Sequence, residues 1–417
     1  MKKIVLLSGN HICHNPRVVK EADALASFGA EVRVVGGATS TALKEKDKKV
    51  FSGRAWSYDY AYDLTKAGAG SFLLKLQRKV GELAFRGVGF ANPWQISYGT
   101  GKLLMAARKN RADLTIAHWD PALPAAVQLL REGRNVGVDM EDWFSEDITE
   151  VDKKKRPVEL LKKLEKILLC EGVYSSCTSE AMADALVQAY GCRRPRVIRN
   201  VFPAKEREKM DGKWKDRPSM ERWLNTNDPL VKRPKDSPVS ILWLSQTIGP
   251  GRGLETLFEA LQSIGKDLEI HLRGNVVGHE AWLDRVCPLP VRRKVQLHPM
   301  VDNNEILSRL SEHDIGFCGE LKNPRNRNLT ISNKLFHYLS GGLYVVASDT
   351  EGQKEAAREA GGAVGIFTAD DPVSLGRLLR TLMQDRSVLV SLRGKAWEAG
   401  KKLSWENEEA GLESVAR

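Results

Sequence analysis

Short, wholly apolar runs alternate along this chain with stretches whose apolar residues recur every three or four positions, the signature of buried strands and amphipathic helices in turn. IVLLS (Ile4–Ser8) reads as a strand and Gly9 opens the turn after it. A helix is predicted from about Pro16 to Phe28, closed by Gly29, and EVRVVGG supplies the next strand. Residues 40–100 are less regular. From Asp113 the rhythm returns with DLTIA, a helix after Pro121, NVGVD, LLKKLEKILL, VYSSC, a helix begun at Thr178, and PRVIRN. A second series starts at VSILWL (Val239–Leu244), followed by a helix with Leu254, Leu257, Phe258, Leu261 and Ile264 on one face. Strands DLEIHLRGN, VQLHPMV, DIGFC, LYVVA and GGAVGIF follow, with helices NEILSRLSEH, NKLFHYLS and SLGRLLRTLM among them. Alternation of this kind predicts two doubly wound α/β domains, in which ligands sit at the carboxyl ends of the strands. Residues 203–237 are polar and aperiodic, and read as an interdomain connection with an insertion.

The stretch SNKLFHYLSGGLYVVASD (Ser332–Asp349) carries the most chemistry. Ser332 is a good N-cap, and Lys334 adds a full charge to a helix N-terminus that already concentrates unpaired N–H groups. Such an end suits a phosphate. Asn333 and His337, four apart, share a face. An ordinary helix–strand joint is the alternative. SQTIGPGRG, after the strand at Val239, is a Gly-rich loop that brings Arg252 and Gly253 to another helix opening. There is no G-x-G-x-x-G, so a dinucleotide is not supported. His11, His14 and Arg17 crowd the first loop, but the histidines lack the acidic or Cys companions a metal site needs. VDMEDWFSED clusters Asp139, Glu141, Asp142, Glu146 and Asp147 at a strand end, for acid/base work or as solvated loop charges.

Asn333, Lys334, Tyr338, Gly342 and the run Val345–Ser348 resemble the donor-site segment of the retaining GT-B glycosyltransferases of the "glycosyl transferase group 1" type. His337 stands where that family usually has a ribose-binding Glu, Tyr344 where Pro is usual, and the family's preceding Glu falls on Leu329. H-x-x-x-N-P-R-x-x-K-E-A, from His11, resembles the opening of bacterial sugar transferases of the same group, and TIAHWDPALPAA resembles a segment that brings a His to the donor sugar. The resemblance implies two Rossmann-like domains facing an interdomain cleft: residues 1–202 on the acceptor side, 203–237 as linker, 238–395 for the nucleotide sugar, and a tail, 396–417, crossing back. It implies transfer of a sugar from a nucleotide-sugar donor to a hydroxyl of a saccharide or lipid-linked acceptor. His118 would act on the sugar; Arg252, Gly253, Ser332, Asn333 and Lys334 would bind the diphosphate; His337, Met300 and Gly274 would face the nucleotide. Gly9, His14, Arg17 and Glu141 would lie on the acceptor side. In the Gly-rich loop Gln246 replaces one of the family's two phosphate cations. Neither a cofactor nor a metal is expected. The alternatives are a sugar-nucleotide epimerase of the same fold and a nucleotide-sugar-binding protein that has lost turnover.

The 417 residues carry a net charge of +11. Residues 1–200 hold 32 basic and 23 acidic side chains, so +9 of it lies in the first half. That excess fits an anionic lipid or acceptor; nucleic acid is not expected, because no aromatic–basic motif accompanies it. SFLLKLQRKVGELAFRGVGF (Ser71–Phe90) is a basic amphipathic helix. Packing on its own domain is the expectation for most of it, and partial insertion into a membrane surface the sharper alternative. Six Cys with no C-x-x-C pair, and an N-terminus that turns polar too soon for a secretory signal, imply a cytoplasmic protein, peripheral at the inner face of the membrane if lipid is its partner.

Overall fold

The structure is a computed structural model that describes residues 1–149, 153–208, 238–265, 268–301 and 303–417. Most of the expected linker, residues 209–237, lies outside the described residues. The chain divides into two compact units, Met1–Asn200 with Glu408–Arg417, and Val201–Asn407.

The first unit is built on a parallel sheet of β1 (Lys3–Leu7), β2 (Glu31–Ala38), β3 (Ser57–Asp63), β4 (Leu114–His118), β5 (Val136–Met140), β6 (Tyr174–Cys177) and β7 (Arg196–Val197), in the order β3-β2-β1-β4-β5-β6-β7. The chain order reverses beside β1, where a doubly wound sheet opens a crevice at its strand ends. Helices cover both faces of such a sheet, which is why β1, β4 and β5 read as continuous apolar runs: Leu6, Ile116 and Val138 are all buried. Helix α1 (Pro16–Ser27) starts on Pro16 with Asn15 as N-cap, its side chain accepting from the Val18 N–H at 3.1 Å. Helix α2 (Thr41–Phe51) and β3 lie in the region that looked irregular in sequence. The β3 strand, SYDYAYD, is mostly half-exposed, and α2 is largely polar, so neither has a core-facing pattern to announce it.

Helix α3 (Ala69–Val88) departs from expectation. Leu74 and Gly81 are its only buried residues, so most of its apolar face is not packed on the domain. The short helix α4 (Pro93–Ile96) follows it.

The second unit has a parallel sheet of β8 (Val239–Thr247), β9 (Leu268–Asn275), β10 (Val295–His298), β11 (Ile315–Cys318), β12 (Tyr344–Ser348) and β13 (Val364–Phe367), in the order β10-β9-β8-β11-β12-β13. Trp243, Ile270, Phe317 and Val346 form its core with helix α5 (Leu254–Leu261). Helices α6 (Arg325–Leu329) and α7 (Asn333–Ser340) lie between β11 and β12, and α8 (Pro372–Gln384) and α9 (Arg386–Lys402) follow β13. Helix α9 packs against α7, so residues 396–407 of the expected returning tail belong to the second unit. Only Glu408–Arg417 groups with the first.

Candidate functional site

In the second unit the carboxyl ends of β8 and β11 meet the N-terminus of α7. Gly253 takes φ +77° to open α5, and a Cβ built there would lie 1.9 Å from the Gly319 carbonyl oxygen. Only Gly fits, because the positive φ and the close approach both exclude a side chain. Arg252, just before it, donates to Ser245 Oγ at 3.4 Å. Arg327 on α6 donates to the Gly251 carbonyl at 2.7 Å and so anchors the Gly-rich loop. Ser332 stands at the N-cap position of α7, but makes no capping bond. Its hydroxyl donates instead to Glu320 Oε1 at 3.2 Å, and Lys334 Nζ donates to the same oxygen at 2.5 Å. Burial pushes the Glu320 carboxyl up, but the charge and hydrogen bond of Lys334, with Arg327 nearby, outweigh it and hold the group below the usual carboxylate range.

Two of these residues escaped the sequence reading. Glu320 lies two positions past β11, at a strand's carboxyl end, and that position was its only signal. Arg327 supplies a basic side chain beside the loop in which Gln246 replaced one; Gln246 itself is exposed. The structure does not present Asn333 and His337 as a pair. Asn333 is exposed, whereas the His337 ring stacks on Phe202 with centroids 3.5 Å apart at 16°, so one ring face is used for packing. Leu329 is buried at the end of α6. Gly274 lies beside Ser245 at the end of β9. Arg273 donates to the Pro299 carbonyl at 2.9 Å, which ties that strand end to the turn carrying the exposed Met300.

In the first unit the expected acceptor-side residues sit at the carboxyl ends of β1, β4 and β5. His118 ends β4 in register with Asp139 on β5. Its ring is fully buried, with Nδ1 3.3 Å from Asp139 and Nε2 3.3 Å from Glu21. Arg17 grips Asp139 with two hydrogen bonds, 2.5 and 2.9 Å, and donates to the Ile198 carbonyl at 2.8 Å. Ser176 Oγ adds a bond to Asp139 at 2.9 Å. Both side chains lie inside the unit, paired with carboxylates that would otherwise be buried and unpaired. Glu21, one turn after Arg17 on α1, is the partner the sequence reading missed.

Burial disfavours charge on His118, but Glu21 and Asp139 outweigh it and push its pKa up to about 9. Burial pushes Glu21 up to about 7 and Glu141 up to about 8. Burial also opposes the charge on Asp139, yet Arg17 and His118 prevail and hold it well below the usual range. Ligand-type atoms of Glu21, His118 and Asp139 lie within 4.8 Å of one another. Both Asp139 oxygens already accept from Arg17, so the group is an ion-pair network. At its rim Glu141 accepts from Asn15 Nδ2 at 3.0 Å, and His14 is exposed. Gly9 turns with φ +72° against Pro121, too close for a Cβ. Asp47, on α2, takes the Nδ1–H of buried His11 at 2.6 Å, because Nε2 accepts from the N–H groups of Thr39 and Ser40 at 2.8 and 3.2 Å.

No protein-family model matches the chain, and no curated protein matches it by sequence. Solved structures do. Sucrose-phosphate synthase from Thermosynechococcus elongatus superposes with a TM-score of 0.71 at 13% identity, covering 100% of this chain and 98% of that one. Anabaena HepE in complex with UDP and glucose gives 0.68 at 14%, covering 100% and 99%. WaaG, a glycosyltransferase involved in lipopolysaccharide biosynthesis, gives 0.64 at 10%, covering 99% of each chain. Likeness at this identity speaks to the fold: two parallel-sheet Rossmann-like units of GT-B type.

Proposed function

We propose that this chain is a glycosyltransferase that moves a sugar, with retention, from a nucleotide-sugar donor to a hydroxyl of a saccharide or lipid-linked acceptor. The observation that carries the reading is the convergence of Arg252, Arg327 and Lys334 on the N-terminus of α7 and the loop after β8. Two cations near an array of helix N–H groups suit a diphosphate, and Lys334 joins them when the phosphate displaces Glu320. The leaving diphosphate then departs against fixed positive charge, without a metal ion, and the protein accelerates transfer by positioning and electrostatics. The HepE structure with UDP and glucose supports the donor class, and the lipopolysaccharide role of WaaG supports a surface glycoconjugate as product. In this reading Glu141 and His14 meet the acceptor, and the Arg17–Asp139–His118–Glu21 network fixes the loops that carry them.

The test is incubation with a panel of nucleotide sugars and saccharide acceptors, read by product mass. Glycosylated acceptor with released nucleoside diphosphate is expected. Free sugar and diphosphate without an acceptor product would indicate an epimerase, and binding without turnover a sugar-nucleotide-binding protein.

A further inference from the structure

Helix α3 exposes what helices of a folded domain normally cover. Phe72, Leu76, Val80 and Leu83 follow at intervals of four, four and three, with Leu73 beside them, so they form one apolar ridge. All are exposed, Phe72 to 68% and Leu83 to 57%. Val88, at the end of the helix, and Phe90, just past it, are exposed as well. The opposite face holds the helix to its unit: Leu74 is buried, Gly81 lies against Asn92, and Arg78 donates to the Ile96 carbonyl at 2.9 Å.

At 100° per residue Lys75, Lys79 and Arg86 line one flank of the ridge. Between Asp63 and Asp113 the only acidic residue is Glu82, against nine Lys and Arg. A cavity of about 300 Å³ is lined in part by Lys75, Arg78 and Lys79. Antiparallel pairing of the ridge with that of a second copy of this chain would set one cation row beside the other. No helix among the described residues is long and apolar enough to cross a membrane, so an apolar ridge with one cationic flank has a surface role.

We propose that α3 lies in the interface of an anionic phospholipid bilayer, with the Phe72–Leu83 ridge among the acyl chains and Lys75, Lys79 and Arg86 against lipid phosphates. The proposal is independent of the donor chemistry, and its test contains no nucleotide. The full chain is sedimented with vesicles of phosphatidylglycerol and phosphatidylcholine, or of phosphatidylcholine alone, at low and high salt. Binding to anionic vesicles at least about tenfold stronger than to neutral ones, weakened by salt, is expected. The pair Leu76→Asp and Leu83→Asp, and the triple Lys75→Glu, Lys79→Glu and Arg86→Glu, should each lower partitioning at least about tenfold with circular dichroism unchanged, because the replaced side chains are exposed. A Leu83→Cys derivative carrying a polarity-sensitive fluorophore reports insertion in otherwise unaltered protein by a blue shift on anionic vesicles alone. Equal binding to both vesicle types, undiminished binding by folded variants, or no blue shift overturns the proposal. So does a dimer that the Leu76 and Leu83 changes dissociate in the absence of any vesicle binding.

Discussion

Lys334 Nζ and Glu320 Oε1 lie 2.5 Å apart at the mouth of the phosphate-suited helix end, so the cation expected to meet the donor is held by a carboxylate instead. Any diphosphate that uses Lys334 competes with Glu320. Replacing Glu320 with Gln removes the competing charge and leaves an acceptor for Ser332. Nucleoside diphosphate affinity should rise by roughly three- to tenfold, about 1 kcal/mol, in titration calorimetry. A weaker-binding folded variant would place Glu320 among the ligand contacts rather than against them.

Arg252→Ala and Arg327→Ala should each weaken nucleoside diphosphate binding by about 1.5–3 kcal/mol, one to two decades. They are separable by stability. Arg327 holds the Gly251 carbonyl, so its loss should also lower the urea midpoint, whereas loss of Arg252 should leave it nearly unchanged. Equal affinity in both variants and wild type removes the diphosphate from this loop.

Gly253→Ala combines a φ of +77° with a Cβ driven into the Gly319 carbonyl. Strain at such a position costs about 1–2 kcal/mol before the clash is counted, so a loss of at least about 2 kcal/mol in urea unfolding is expected. Diphosphate binding should fall with it, because the same loop positions Arg252.

The pH dependence of the first unit follows from its ion-pair network. His118 is raised from 6.5 to about 9, so its contribution is whole below about 6.5 and is lost as pH rises through about 9. Glu21 and Glu141 are raised from 4.5 to about 7 and about 8, so the folded state again holds protons the unfolded chain has released. Asp139 is lowered and acts in the opposite sense only at the acid end. Stability measured by urea should therefore fall from about pH 5 to about pH 9. His118→Gln should flatten the slope above about pH 6.5 and, by leaving Glu21 without its partner, cost about 3–5 kcal/mol at neutral pH. The same variant should bind nucleoside diphosphate normally, since its effect is confined to the first unit.

Much of the fold was legible in the sequence because parallel strands buried on both faces read as unbroken apolar runs; β1, β4, β5 and β12 are of that kind. The β3 strand was not, because a half-exposed strand of Ser, Tyr and Asp carries no such run. The donor-side cations were half legible. Arg252 and Lys334 sit at helix openings that composition marks, while Arg327 and Glu320 reach the same place from a loop and a short helix that periodicity does not resolve. His118 shows the limit from the other side. Its place at a strand end was read correctly, but its partner Glu21 comes from a different element, and only packing decides whether such an imidazole faces solvent or a buried carboxylate.

The last ten residues complete the first unit: Lys2 Nζ donates to the Val415 carbonyl at 2.7 Å, Glu408 takes the Arg199 N–H at 2.8 Å, and Leu412 and Ala416 are buried. A ribosome therefore delivers every residue of the second unit before it delivers the end of the first. The first unit, started before the second, is finished after it, and α1 waits on residues 408–417 for part of its cover. Protease challenge of stalled nascent chains should find the second unit resistant first.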